Sequence, residues 1–166
     1  MSLLFSDRNG IHDVKYMGQH TTLTEGLKNY PEINFAALTP MAMARNTWER
    51  LASYYIQRTS NPYWAGRSYV DIFDAYTYFD LRNALSTDGT IPHNMIWLDF
   101  HNMQDSVNEF WKTHFHCEVT MPLFERNLKD NAETARYQAV LNDKEFIEYV
   151  RAECAFEIEL FGYEPP

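Results

Sequence analysis

Two cysteines in 166 residues, Cys117 and Cys154, are too few for a disulfide framework, and their spacing is not that of a metal motif. The fold must therefore rest on apolar burial. A chain of ~150 residues buries about 68–70% of the surface its unfolded form exposes, enough for one domain with an ordinary core. Basic residues are also scarce, with 14 Lys and Arg against 23 Asp and Glu and a formal net charge of −9. Nucleic-acid affinity draws on cations that neutralise phosphates, so this balance counts against DNA, RNA and heavily sulfated glycans. A small or neutral acceptor fits better, in a local pocket. No apolar run approaches the ~20 residues needed to cross a membrane. The opening Met1-Ser2-Leu3-Leu4-Phe5-Ser6-Asp7 is too short in its apolar part for a signal peptide. The expectation is a soluble, cytoplasmic protein with no membrane partner.

Glycine is sparse too. The six are Gly10, Gly18, Gly26, Gly66, Gly89 and Gly162, and none belongs to a glycine-rich Lys-Ser/Thr phosphate cradle. Without Gly-x-x-x-x-Gly-Lys-Ser/Thr, a P-loop kinase is disfavoured. Asp7-Arg8-Asn9-Gly10 reads as a turn. Aromatic residues, by contrast, are abundant: 11 Tyr, 11 Phe and 4 Trp. They suit a dense core first, and a sugar platform or nucleobase clamp second.

The hydrophobic pattern alternates short apolar strands with helices, which predicts an α/β fold layered around a short parallel sheet, with high helix content. An all-α fold is the alternative. A short strand is expected near Leu3–Phe5 and a helix from Thr21 or Thr22 to Tyr30, stopped by Pro31. Met41–Ala44 reads as a buried strand followed by a helix from Thr47, with Trp48, Leu51, Ala52, Tyr55 and Ile56 on one face. Residues 59–68 form a loop, 69–84 a helix and Asp88-Gly89 a turn. Met95–Leu98 is a second buried strand, Met103–Lys112 a helix, and residues 117–130 are irregular. A last helix starts at Asp143, carries Phe146, Val150, Cys154, Ile158 and Phe161 on one face, and ends at Gly162. Its acids Glu145, Glu148, Glu153, Glu157 and Glu159 read as a solvated surface.

The most informative segment is Arg45-Asn46-Thr47-Trp48-Glu49-Arg50-Leu51-Ala52-Ser53-Tyr54-Tyr55. A strand, then Arg-Asn, then a helix start offers a phosphate free N–H groups, a positive dipole end and a guanidinium fork. Asn46 with Glu49 reads as a variant capping box. The wording resembles the Arg-Asn/Asp-Pro-Trp/Tyr/Ile-Glu/Asp-Arg-Leu-Val-Ser-x-Tyr motif of sulfotransferases, closest to their carbohydrate branch. These enzymes use 3′-phosphoadenosine 5′-phosphosulfate (PAPS). The resemblance implies that Arg45 and Ser53 bind the nucleotide 3′-phosphate. It also implies a P-loop-like three-layer fold, here small or truncated, over about residues 15–163. The family's proline is Thr47 here, a tolerable change at the first helical position.

Two later segments resemble the family in order: Met95 to Asp105, with His101 where glutamate is frequent, and Glu157 to Tyr163. Lys15-Tyr16-Met17-Gly18-Gln19-His20 is similar to the Tyr-His-Gly-His segment of some uronyl sulfotransferases. That likeness implies His20 as the base that takes a proton from the acceptor hydroxyl. The family's 5′-phosphosulfate loop is missing, so the reading is either a shortened member or one whose loop precedes residue 1. The implied function is binding of PAPS or its product PAP, with sulfuryl transfer to a hydroxyl of a carbohydrate or small acceptor. The alternative is an inactive nucleotide- or glycan-binding, or interaction, protein that has lost the loop. Tyr63, Trp64 and Arg67 are loop candidates for nucleotide or acceptor contact. His114-Phe115-His116-Cys117 has zinc-binding residue types without a second ligand cluster, so no metal is expected. His101 beside Asp99 reads as an acid–base pair or as a hydrogen-bonded strand-end histidine.

Overall fold

The computed structural model describes residues 23–29, 31, 40–76, 79–81, 85–86, 90–120 and 131–166. The expected strand near Leu3–Phe5, the Asp7–Gly10 and Asp88-Gly89 turns and His20 lie outside them. The described chain is mixed α/β and rich in helix. Its order is α1 (Leu23–Asn29), β1 (Met41–Ala44), α2 (Thr47–Thr59), α3 (Tyr69–Phe73), β2 (Ile96–Asp99), α4 (Met103–Phe115), α5 (Asn131–Leu141), α6 (Lys144–Glu153) and α7 (Ala155–Phe161). The two strands pair in parallel, Met41 opposite Ile96 and Ala44 opposite Asp99. Parallel pairing requires a long crossover, and α2 and α3 lie within it.

Helix α2 begins as the sequence indicates. The Asn46 side chain accepts from the Glu49 N–H at 3.3 Å, satisfying one of the orphan donors of the first turn. Its buried stripe, Thr47, Trp48, Leu51, Ala52 and Ile56, faces the core. Around it pack Ile72 and Phe73 of α3, Val140 and Leu141 of α5, and Phe146 and Val150 of α6. Each large apolar side chain so buried contributes about 1.5–3 kcal/mol. Many of the aromatics join this core: Tyr54 stacks on Tyr76 at 3.8 Å, and Phe73 lies 5.2 Å from Phe79 and 6.3 Å from Phe146. A smaller cluster of Ala42, Leu81 and Leu85 sits beside the sheet with Met95, Trp97 and Phe161 packed against it.

Three expectations are corrected. The helix expected over 69–84 is only Tyr69–Phe73 in its first part. A Ser68–Asp71 capping box starts it, and successive three-residue turns (Tyr76 N–H to Phe73 O, Phe79 N–H to Tyr76 O) then carry the chain off the helical path. The last helix is two, α6 and α7, because Cys154 leaves the helical conformation at φ −111°, ψ 23°. Gly162 ends α7 as expected, at φ +63° in the left-handed region that a side chain resists. The third correction concerns Glu157, which is 1% exposed rather than solvated. It accepts from the Thr47 hydroxyl at 2.8 Å and from Arg50 Nη2 at 2.8 and 3.0 Å. No described helix is long and apolar enough to cross a membrane.

Candidate functional site

Strands β1 and β2 end level with each other, at Ala44 and Asp99, so both chains leave the sheet on the same side. The crevice beyond the carboxyl ends of parallel strands is where open α/β sheets bind ligands. A cleft of about 650 Å³ opens there. Arg45, Asn46 and Glu49 line it from the start of α2, Trp97 and Asp99 from β2, His101 from the following turn, and Leu160, Phe161 and Tyr163 from the end of α7.

Arg45 leaves β1 into this cleft. Its guanidinium lies over the Phe100 ring, 4.5 Å from the centroid, a cation–π contact. The Tyr137 hydroxyl forms a side-chain hydrogen bond with it from α5. Burial, then the Glu49 charge, raise the Tyr137 phenol above its ordinary value, and Arg45 opposes them. The buried Arg45 Nε has no hydrogen-bond partner. Glu49 Oε2 is 3.8 Å from it, an ion-pair separation too long for a hydrogen bond.

Glu49 does not close the capping box. Its carboxylate turns instead to His101, with Oε2 3.0 Å from Nε2. In the neutral ring this pair places the proton on Nε2 and leaves Nδ1 as a lone-pair acceptor, with no hydrogen-bond partner among the described residues. The His101 side chain is 53% exposed and open to a ligand. Its backbone N–H donates to Asp99 Oδ1 at 2.8 Å, and the Asp99 N–H donates to Ser106 Oγ at 3.1 Å, tying the turn to α4. Asp99 therefore holds the His101 backbone, while Glu49 holds its ring.

Tyr163 completes the far wall. Burial, followed by the Glu157 and Asp99 charges, pushes its phenol up to about 12, so it remains a neutral O–H near pH 7. Behind the wall, burial works against the Arg50 charge, but Glu157, joined by Tyr76 and Cys154, outweighs it and holds the guanidinium above its usual value. Burial, with Glu157 next, likewise pushes the Cys154 thiol up to about 12, which makes it unreactive.

Of the two residues expected to hold phosphate, Arg45 lines the cleft and Ser53 does not. Ser53 is half-buried one turn beyond Glu49 on α2. The loop candidates also lie elsewhere. Tyr63 is 70% exposed, Trp64 packs on the main core beneath Arg58, and the Arg67 carbonyl accepts from the Tyr55 hydroxyl. His114 falls within α4, which runs three residues past Lys112, and His116 caps it at φ +55°. Among the described residues, no three His, Cys, Asp or Glu side chains gather into a metal-binding group. Sequence reasoning missed Glu49 and Tyr163 as cleft residues. The available signal was the spacing Arg45–Glu49, which puts both side chains at the mouth of the same helix. No protein-family model matches the chain, and neither curated proteins nor solved structures give a match.

Proposed function

We propose that this chain is a sulfotransferase-like protein, a small form of the three-layer P-loop-like fold, whose cleft binds PAPS or PAP through Arg45. The observation that carries this reading is the Arg45 guanidinium, which lines the cleft at the end of β1 beside the start of α2. The Arg45 side chain is 24% exposed, and its guanidinium N–H groups can donate to a phosphate oxygen that also draws on the helix dipole. Arg45 fits one phosphate group. It is the one permanent cation among the described cleft residues, facing the carboxylates of Glu49 and Asp99. These residues thus account for a 3′-phosphate and not for a 5′-phosphosulfate.

PAPS, when bound, supplies an already activated sulfuryl group. The chain's part is to bind, orient and deprotonate. His101 Nδ1, with its ring fixed by Glu49, takes the proton of an acceptor hydroxyl in the same cleft, and His20 remains a second candidate for that role.

A second reading, a non-catalytic glycan- or nucleotide-binding protein, is favoured by one feature. Glu49, Asp99 and the Trp97–Phe161 pair (centroids 4.8 Å apart) offer acceptors and ring faces of the kind that hold a sugar. Calorimetric titration of PAP and of 5′-AMP separates the 3′-phosphate site from a glycan site. The sulfotransferase-like reading expects PAP to bind at least ~tenfold tighter, because only PAP carries the 3′-phosphate. Equal affinity, or none, removes it.

A further inference from the structure

The C-terminal half of α2 borders another pocket, of about 420 Å³, which shares no lining residue with the cleft at the helix start. Tyr55 and Ile56 line it from α2, Tyr69 from α3, Arg136 and Val140 from α5, and Asp143 from the cap of α6. Its volume falls within the ~300–1,000 Å³ range of small-molecule sites.

The pocket holds two opposite charges that do not pair with each other. Arg136 donates from Nη1 to Ser60 Oγ at 3.3 Å and from Nη2 to Thr59 Oγ1 at 3.0 Å. Both hydroxyls in turn donate to α2 carbonyls, Thr59 to Tyr55 O and Ser60 to Ile56 O, each at 2.8 Å, which fixes them as acceptors towards Arg136. The guanidinium is thereby held in place, and among the described residues no carboxylate forms an ion pair with it. Asp143 accepts the Tyr69 O–H at 2.7 Å and the Glu145 N–H at 2.9 Å, and among the described residues it pairs with no cation. Tyr55 feels both charges: after burial, Asp143 raises its phenol and Arg136 lowers it. Its ring lies 4.6 Å from that of Tyr69, tilted by 48°, and Ile56 and Val140 extend this apolar wall.

We infer that this pocket binds a free α-amino acid with an aromatic side chain, its carboxylate on Arg136, its ammonium on Asp143 and its ring against Tyr55 and Tyr69. The inference is independent of the reading of the first cleft. A ligand of one charge satisfies one side and meets like charge on the other: a plain carboxylate faces Asp143, an amine faces Arg136. A zwitterion satisfies both and adds no net charge to a chain already at −9. The planar guanidinium fork suits a carboxylate, and each Asp143 oxygen keeps a lone pair for an ammonium N–H. The tyrosine rings offer an aromatic side chain offset or edge contact.

The test titrates L-phenylalanine, 3-phenylpropionate (no ammonium) and 2-phenylethylamine (no carboxylate) into the wild type, Arg136→Gln and Asp143→Asn. Binding is read from nitrogen-15 NMR shifts of the Gly66 and Ala139 amides, which line this pocket and not the cleft. Asp143→Asn removes the charge and keeps an oxygen to cap α6. The wild type is expected to bind phenylalanine at least ~fivefold tighter than either analogue, and each variant to weaken phenylalanine by about fivefold or more. Two variants keep the result readable if one fails to fold. Phenylalanine that does not bind, that binds no tighter than 3-phenylpropionate or 2-phenylethylamine, or that both variants leave unchanged overturns the inference. Shifts confined to the amides of Arg45 to Glu49 would place the ligand in the cleft and overturn it too.

Discussion

Thr47 donates its hydroxyl to the Glu157 carboxylate at 2.8 Å, joining the first residue of α2 to α7 across 110 positions of sequence. Arg50 meets the same carboxylate with one nitrogen, Nη2, and uses it also to reach the Phe79 carbonyl at 3.1 Å. The clasp lies directly behind the cleft, because Arg45 and Glu49 line the cleft at and just before the start of α2, and Leu160, Phe161 and Tyr163 line it at and just after the end of α7. A buried carboxylate with several donors is stable only while they remain.

Removing one partner leaves the other charge buried without its counter-charge in this clasp. Glu157→Ala or Arg50→Ala is therefore expected to cost about 3–5 kcal/mol in urea unfolding. The double change Arg50→Met with Glu157→Leu should recover most of that loss, since neither charge then remains. A loss in the double variant equal to the sum of the single losses would contradict the clasp.

Thr47 bears on how the chain departs from the motif it resembles. Proline suits the first helical position, but here the side chain is fully buried and donates to Glu157. Thr47→Val keeps the shape, removes the donor and should cost about 1–3 kcal/mol, read from the denaturation midpoint. Thr47→Ser should cost less, because the hydroxyl is kept.

Alkaline pH should unfold the protein through Cys154 and Tyr163. Burial first, then Glu157, raises the Cys154 thiol from 9.0 to about 12. The unfolded chain therefore releases this proton at lower pH than the folded one does. Stability is full below about pH 9 and falls as pH rises towards 12. Tyr163 adds the same effect from about pH 10. In Cys154→Ala the onset should move up by about one unit, to where Tyr163 begins, as measured by thermal melts between pH 8 and 11.

The His101 tautomer is directly observable. Nitrogen-15 NMR above pH 8 should find the proton on Nε2 in the wild type and distributed over both nitrogens in Glu49→Ala. An Nδ1–H form in the wild type would remove His101 as the proton acceptor.

What could be read from sequence follows from how local each signal is. The strands Met41–Ala44 and Ile96–Asp99, the α2 start at Asn46 and the Gly162 stop rest on neighbouring residues, and the structure has them within a residue or two. Glu157 was illegible because a glutamate among other glutamates on an amphipathic helix reads as surface. Only the arrival of Thr47 and Arg50 from over a hundred residues away makes its burial tolerable. The break at Cys154 was hidden for a similar reason. Phe146, Val150 and Cys154 keep helical spacing up to the break, and α7 resumes after a single residue. In the site, Glu49 looked like a capping residue, and its role at His101 depends on β2 lying parallel to β1.

The most direct measurement is calorimetric titration of PAP into the wild type, Arg45→Gln and Ser53→Ala. The account predicts micromolar binding to the wild type, weakened about a hundredfold in Arg45→Gln, in line with the ~2–5 kcal/mol lost when one member of a buried charged contact is removed. Ser53→Ala reports whether the second motif residue reaches the phosphate from its place on α2. A folded wild type that does not bind PAP, or an Arg45→Gln variant that binds it equally well, would contradict the account.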